Sequence, residues 1–423
     1  MAHQSTIDTW RAGARISFDL TDPAHHRSLR LLAERMLAAD DLTPQALDEA
    51  TSEADAPLEF RMAAMLYRSR RQMLSVTEPV HVAVVFAMWG EQNRLHPRSD
   101  GNPFGEDALR RKIEQLDWVC RGTPVRWSLY AVDDGCPHGS GEIAEAIAAT
   151  YDPARPVNVL HLAQYLPAAD GPLRQLSSVD DSRKAGAIIA GSLQAIDDGV
   201  DAVIYTDADS SVHLGQIGLL VEPYVNEGTR VVLGNRKHPA SVLVKDGARW
   251  GIGIKNLRHM QRMAGHAILS RDIADTQAAF KLYDAALLKR IIATPTVFDF
   301  SFDTDWIAAF LSMGEEFAQR PFAFVDSAAE SATAKQIPMT TWETLLLGLV
   351  RALRHHDLLH TSFSRDMADV IDEEIDDYRD LEAIIDHLPD ELVDAGEADY
   401  GDPEIMSPNA MRQWIRERKA MAA

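Results

Sequence analysis

Between Val80 and about Lys335, short apolar runs alternate with amphipathic stretches. The runs Val80 to Phe86, Val125 to Val132, Val157 to Leu160, Ala202 to Tyr205 and Arg230 to Leu233 are rich in β-branched residues and read as buried strands. Between them, Asp107 to Trp118, Glu142 to Thr150, Lys184 to Asp197 and Leu214 to Asn226 carry apolar residues at helical spacing. Strand, helix and strand in repetition predict a Rossmann-like α/β domain, with a mainly parallel central sheet covered by helices on both faces. Residues 1–76 show only helical spacing. Leu29, Leu31, Leu32, Met36 and Leu37 form one stripe after Thr21-Asp22-Pro23, and Phe60, Met62, Met65, Leu66 and Met73 form another. After Pro338 the pattern is helical again. Trp342, Leu345, Leu346, Leu349 and Leu353 mark a helix from Thr341 to Leu359, and Met367, Val370, Ile371, Ile375 and Leu381 one from Asp366 to Leu388. The acidic stretch Asp390 to Glu404 reads as a surface linker. Three regions result: a helical N-terminal extension over 1–76, an α/β domain over 77–336, and a helical acidic region over 337–423.

The chain has 423 residues, 46% hydrophobic and 25% charged, enough for a sizeable core. Its 64 acidic against 42 basic side chains give a net charge of −22. That balance repels nucleic-acid backbones and anionic lipids and attracts divalent cations. Two cysteines, Cys120 and Cys136, fit a reducing compartment without a disulfide framework. No leader and no apolar window of about 20 residues is visible, so the expectation is a cytoplasmic protein without a transmembrane segment. Homo-oligomerisation through the helical extensions is left open.

Polar residues gather where the predicted strands end, which in such sheets is where ligands bind. The run Ala202 to Thr206 stops at Asp207-Ala208-Asp209. Two carboxylates at i and i+2 repel unless a hard divalent cation sits between them, and such a cation leaves positions for phosphate oxygens. The first strand ends before Glu91, suited to a ribose or a base. The second ends at Asp133-Asp134-Gly135, where Asp133 suits a ring N–H of uracil or guanine and Asp134 the ribose or the metal. Arg183-Lys184 opens a helix, and Arg236-Lys237 follows the strand end Leu233-Gly234, both cationic. Asp275-Thr276-Gln277 and Asp303-Thr304-Asp305 come later.

In order and spacing these pieces resemble the inverting GT-A glycosyltransferases of family 2, most of all the dolichyl- or polyprenyl-phosphate glucosyl- and mannosyltransferases. Trp89-Gly90-Glu91, Val132 to Gly135, Arg183 to Ala187, Asp207 to Asp209, Gly234 to Arg236 and Asp275 to Lys281 take the places of that family's motifs. The departures are Trp89-Gly90 where the family has Tyr-Asn, Ala279 where it has glycine, and an acidic tail where many lipid-phosphate members carry membrane helices. The resemblance implies a GT-A fold and transfer of a hexosyl unit from a UDP- or GDP-linked sugar, with Mn²⁺ or Mg²⁺ held by Asp209 and Asp207. Donor contacts would fall to Glu91, Asp133, Asp134, Arg183, Lys184, Asp207 and Arg236. A hydroxyl acceptor needs a base, with Asp275 first and Asp303 and Asp305 as rivals. A small-molecule or lipid-phosphate acceptor that is already ionised needs cations instead, and Arg271, Lys281 and Lys335 are the candidates.

Two other functions compete: a nucleotidyltransferase acting on a sugar phosphate, and a non-catalytic scaffold on the same fold. The stretch Met88 to Arg94 lacks the glycine- and basic-rich loop the first usually carries, and retention of both aspartates argues against the second. Among histidines, His213 reads as a surface residue at a helix start rather than a metal ligand, and His355 and His356 as solvent-facing. Trp250 and His259 are read as either stacking on an acceptor or packing.

Overall fold

The computed structural model describes residues 2–40, 42–152, 155–182, 184–245, 253–327 and 338–422. Seven strands form the central sheet: β1 (Val80–Met88), β2 (Val125–Asp133), β3 (Val157–His161), β4 (Ala202–Thr206), β5 (Val231–Asn235), β6 (Phe280–Asp284) and β7 (Ala318–Pro321). Their order is 7-5-6-4-1-2-3. Every pairing is parallel except those of β6, which runs antiparallel to both β4 and β5. This is the mainly parallel sheet expected of a GT-A domain. The sequence pattern predicts five of these strands and misses β6 and β7. The run Phe280 to Asp284 contains Lys281, which breaks the apolar signature, and Ala318 to Pro321 has almost no apolar character.

Alternate residues of each strand feed two separate cores, as the period of two requires. In β1, Val82, Val84, Phe86 and Met88 face one and Ala83 and Val85 the other. The first core is closed by the N-terminal helices Pro23–Leu37 and Leu58–Ser75, with Ala108–Cys120 and Gly218–Asn226. The second is closed by Ala185–Asp197, Ile254–Ala264 and Phe302–Ser312, and by the C-terminal helices Pro338–His355, Ser362–Glu374, Tyr378–Ile385 and Pro408–Ala422. Thus each extension covers one face of the sheet. Gly191 allows Ala185–Asp197 to lie close on the sheet, because a Cβ there would stand 2.6 Å from Val85 and 2.7 Å from Val132.

The C-terminal region differs from expectation in two places. The acidic stretch from Asp366 is two helices, not one, since Asp377 starts the second with a capping box to Asp380. The stretch Asp390 to Glu404 holds the short helix Asp390–Val393, and Glu397 ties back to Arg258 and Arg262. In helix Pro338–His355 the apolar side is buried, with Trp342, Leu346, Leu349 and Leu353 in the core. Among the described residues no helix is long and apolar enough to cross a membrane.

Candidate active site

The carboxyl ends of β1, β2, β4 and β5 lie along one edge of the sheet, and the start of antiparallel β6 lies there too. That one reversal brings Asp275, which precedes β6, beside Arg236, which follows β5. The Arg236 guanidinium donates to both Asp275 oxygens, at 2.9 and 2.7 Å, and its backbone N–H donates at 2.8 Å. Burial would raise the Asp275 carboxyl, but Arg236 outweighs it and holds the group below the usual carboxylate range.

Asp207 and Asp209 stand just past β4. Burial works against the charge on Asp207, yet the Lys184 ammonium bonded to its Oδ1 keeps its pKa low. Among the described residues no cation pairs directly with the Asp209 carboxylate, whose Oδ1 accepts from the Ser211 N–H at 3.0 Å. Burial, then Asp207 and Glu106, push it up to about 7. Lys184 itself sits at φ 98, a left-handed conformation rare outside glycine, and its backbone N–H donates to Asp134 Oδ2 at 2.8 Å. The loop before helix Ala185–Asp197 is thereby bound to the β2 end by its backbone and to the β4 end by its side chain. Arg183 lies outside the described residues.

At β2, Asp133 Oδ2 accepts from the backbone N–H groups of Gly135 and Cys136, each at 3.2 Å. Its Oδ1 is buried and, among the described residues, accepts no hydrogen bond. Burial raises this carboxyl, against the pull of the Cys136 amide and His161. Glu91 is also buried and bonded to Arg94 at 2.7 Å. Trp89, 41% exposed, meets His138 edge-on at 6.1 Å across the same edge.

The remaining expected residues are placed differently. Lys281 is wholly buried and its ammonium donates to Asp303 (2.7 Å), the Tyr205 hydroxyl (2.9 Å) and the carbonyls of Thr276 and Ala278. Burial pushes Lys281 well below and Asp303 well above their ordinary values. Asp305 accepts from the Thr296 hydroxyl and N–H, at 2.7 and 3.0 Å, and lies 3.1 Å from His356 Nε2. Asp303, Asp305 and Lys281 are thus buried and engaged with partners inside the protein. Arg271 is exposed and donates to the Ala267 carbonyl, and Lys335 lies outside the described residues. His213 is buried, not on the surface, and its Nδ1 accepts from the Gly215 N–H at 3.0 Å. His356 is likewise turned inward, whereas His355 is exposed. His259 is packed and bonded to the Met406 carbonyl, while Trp250 lies outside the described residues.

Three residues near the aspartates go unnoticed in the sequence reading: Arg94, Glu106 and Lys112. For Lys112 a signal exists. It lies on the same helical stripe as Leu109, Ile113 and Leu116, a core position where lysine needs a reason. Among the described residues no group of three or more His, Cys, Asp and Glu side chains is arranged to hold a metal unaided.

No family model matches this chain. Undecaprenyl-phosphate mannosyltransferase of Micrococcus luteus is 26% identical over 199 residues, 47% of this chain and 72% of its own. Among solved structures, glucosyl-3-phosphoglycerate synthase from Mycobacterium tuberculosis, in complex with Mn²⁺, UDP-glucose and phosphoglyceric acid, is 15% identical at a TM-score of 0.44, over 70% of this chain and 85% of that one. Mannosyl-3-phosphoglycerate synthase from Rubrobacter xylanophilus is 16% identical at 0.43, over 71% and 81%. At that identity and overlap neither structure bears on what this chain binds. With its ordered motifs on one sheet edge and its sequence likeness to a mannosyltransferase, the chain is similar to GT-A glycosyltransferases of the family 2 type.

Proposed function

We propose that this enzyme is a metal-dependent inverting glycosyltransferase that moves a hexosyl unit from a UDP- or GDP-linked sugar to a hydroxyl or phosphate acceptor. The observation that carries the reading is the convergence of Asp133, Asp134, Lys184, Asp207, Asp209 and Arg236 at one sheet edge. Asp133 Oδ1, buried and without a donor among the described residues, suits a base or ribose donor. Lys184 and Arg236 place positive charge where a diphosphate would lie.

The donor set also suits a hard cation. At Asp209 burial and the charges of Asp207 and Glu106 outweigh the pull of Arg94 and Lys112, and among the described residues the protein supplies one or two carboxylates rather than a full cage. Mg²⁺-type sites are built that way, with substrate phosphates completing the shell. In this reading Asp209 and Asp207 hold Mn²⁺ or Mg²⁺, which when bound offsets charge growing on the leaving diphosphate. The sequence likeness to undecaprenyl-phosphate mannosyltransferase adds undecaprenyl phosphate to the hydroxyl and phosphate acceptors worth testing. As to the base, Asp275 is better read as the group that orients Arg236, since both its oxygens are taken.

The test is incubation with a panel of nucleotide-sugars, Mn²⁺ and these acceptors. Release of nucleoside diphosphate with a glycosylated product supports the reading. Pyrophosphate release from a nucleoside triphosphate and a sugar phosphate would point to a nucleotidyltransferase. Failure to bind any donor would leave a scaffold.

A further inference from the structure

A short antiparallel ribbon, Pro97–Ser99 with Asn102–Glu106, sits between β1 and helix Ala108–Cys120. Nothing in the proposed reaction uses it, yet its last residue and the helix that follows it both reach the Asp207–Asp209 turn from beneath. Glu106, 1% exposed, accepts from the Ser210 N–H at 2.8 Å and from the Ser327 hydroxyl, and lies 3.6 Å from Arg94 Nε. Lys112, also 1% exposed, donates from Nζ to the backbone carbonyl of Asp209 at 2.7 Å, with its ammonium 5.4 Å from the Phe86 ring centroid. Two adjacent backbone groups of the turn, the carbonyl of Asp209 and the N–H of Ser210, are thus each held by a buried ionisable side chain.

Such an arrangement is costly unless it does something. A lysine ammonium taken fully out of water needs strong compensation. A neutral hydroxyl or amide would satisfy one carbonyl with less desolvation. What the pair adds is stiffness. Glu106 and Lys112 hold the turn's backbone in one conformation without taking up the Asp207 and Asp209 carboxylates.

We infer that Lys112 and Glu106 are positioning residues that clamp the Asp207–Asp209 turn by its backbone and so set its affinity for a divalent cation. The inference rests on the glycosyltransferase reading of the site. The contacts are to main-chain atoms, so the effect should follow hydrogen-bonding capacity. Glu106→Gln keeps an oxygen for the Ser210 N–H, whereas Glu106→Leu and Lys112→Met remove the contacts at similar volume.

The experiment measures Mn²⁺ binding by electron paramagnetic resonance of the free ion, with UDP present and GDP run in parallel. Circular dichroism and thermal melts report folding. Lys112→Met and Glu106→Leu are expected to bind Mn²⁺ about 10- to 100-fold more weakly, the range for residues that orient metal ligands. Glu106→Gln is expected to stay within about threefold of wild type, as loss of the partner hydrogen bond is what weakens binding. Folded Lys112→Met and Glu106→Leu proteins with wild-type Mn²⁺ affinity overturn the inference. Glu106→Gln weakened as much as Glu106→Leu overturns the hydrogen-bond clamp. Should the Leu and Met variants fail to fold, Ser327→Ala removes one hydroxyl donor to Glu106, and Lys112→Gln keeps a donor for the Asp209 carbonyl. Mn²⁺ affinity unchanged in Ser327→Ala and lost in Lys112→Gln would then overturn it as well. Wild-type protein that binds no Mn²⁺ with either nucleotide instead sinks the reading of the site itself.

Discussion

At Asp209 two demands oppose each other. Burial and the neighbouring Asp207 and Glu106 outweigh Arg94 and Lys112 and favour its protonated form, and a cation would be bound by its ionised form. Removing it should therefore harm the site more than the fold. Asp209→Ala is expected to lower transfer by at least ~100-fold, the scale for losing a main electrostatic stabiliser, and to abolish the rise in melting temperature expected of the wild type with Mn²⁺ and nucleoside diphosphate. An unchanged Mn²⁺-dependent shift would assign the metal to other residues. Asp275 makes the contrary case. A carboxylate held by a bidentate guanidinium and an N–H is a poor base, so Asp275→Asn is expected to raise the donor KM and to leave the acidic limb of the kcat pH profile in place. Disappearance of that limb, with donor KM unchanged, would make Asp275 the base after all.

Among elements, the reversed strand β6 decides the site. Reading Asp275 as a site residue needed only its motif, but the partnership with Arg236 depends on β6 running antiparallel between β4 and β5, and no local pattern announces that. The strand-end carboxylates Asp133, Asp134, Asp207 and Asp209 were legible because apolar runs stop abruptly at them. Lys281, Asp303 and Asp305, expected as an acceptor cation and rival bases, pair inside instead, because a charged residue's partner across the fold leaves no local pattern. Helix packing is similarly silent in the sequence. Gly218 begins helix Gly218–Asn226 at a point where a Cβ would stand 2.1 Å from the Ser69 carbonyl oxygen, and its N–H donates to the Ser69 hydroxyl at 3.0 Å. Gly218→Val forces helix Leu58–Ser75 away from the sheet and is expected to destabilise by about 1–3 kcal/mol, as overpacking does. Chemical denaturation of the variant checks this, and an unshifted midpoint would mean that the N-terminal helices contribute little to the cooperative unit.

For the whole molecule, the junction between the N-terminal helices and the proposed site holds two histidines, His213 buried and His26 half-buried. His26, on helix Pro23–Leu37, bonds the Leu20 carbonyl through Nε2 at 2.9 Å and packs edge-on against Phe18. Burial, then Arg111, drive its pKa down to about 3, and burial likewise drives His213 well below its ordinary value, with His26 among the causes. Both are neutral in the folded protein at pH 7. Between about pH 6.5 and 3 the unfolded chain binds a proton at His26 that the folded chain refuses, so acid favours unfolding throughout that window, and above it the contribution to stability is complete. Asp209 acts with the opposite sign: its raised pKa makes the metal-free folded state the proton-binding one between its ordinary value and about 7. The histidine contribution is separated by comparing wild type with His26→Gln, which keeps a donor for the Leu20 carbonyl and cannot titrate. The stability advantage of wild type over His26→Gln is expected to shrink from pH 7 to pH 5, by at most about 2 kcal/mol, while Asp209 affects both proteins alike. Melts at pH 7, 6 and 5 that stay parallel would show that His26 takes up its proton without opening the junction.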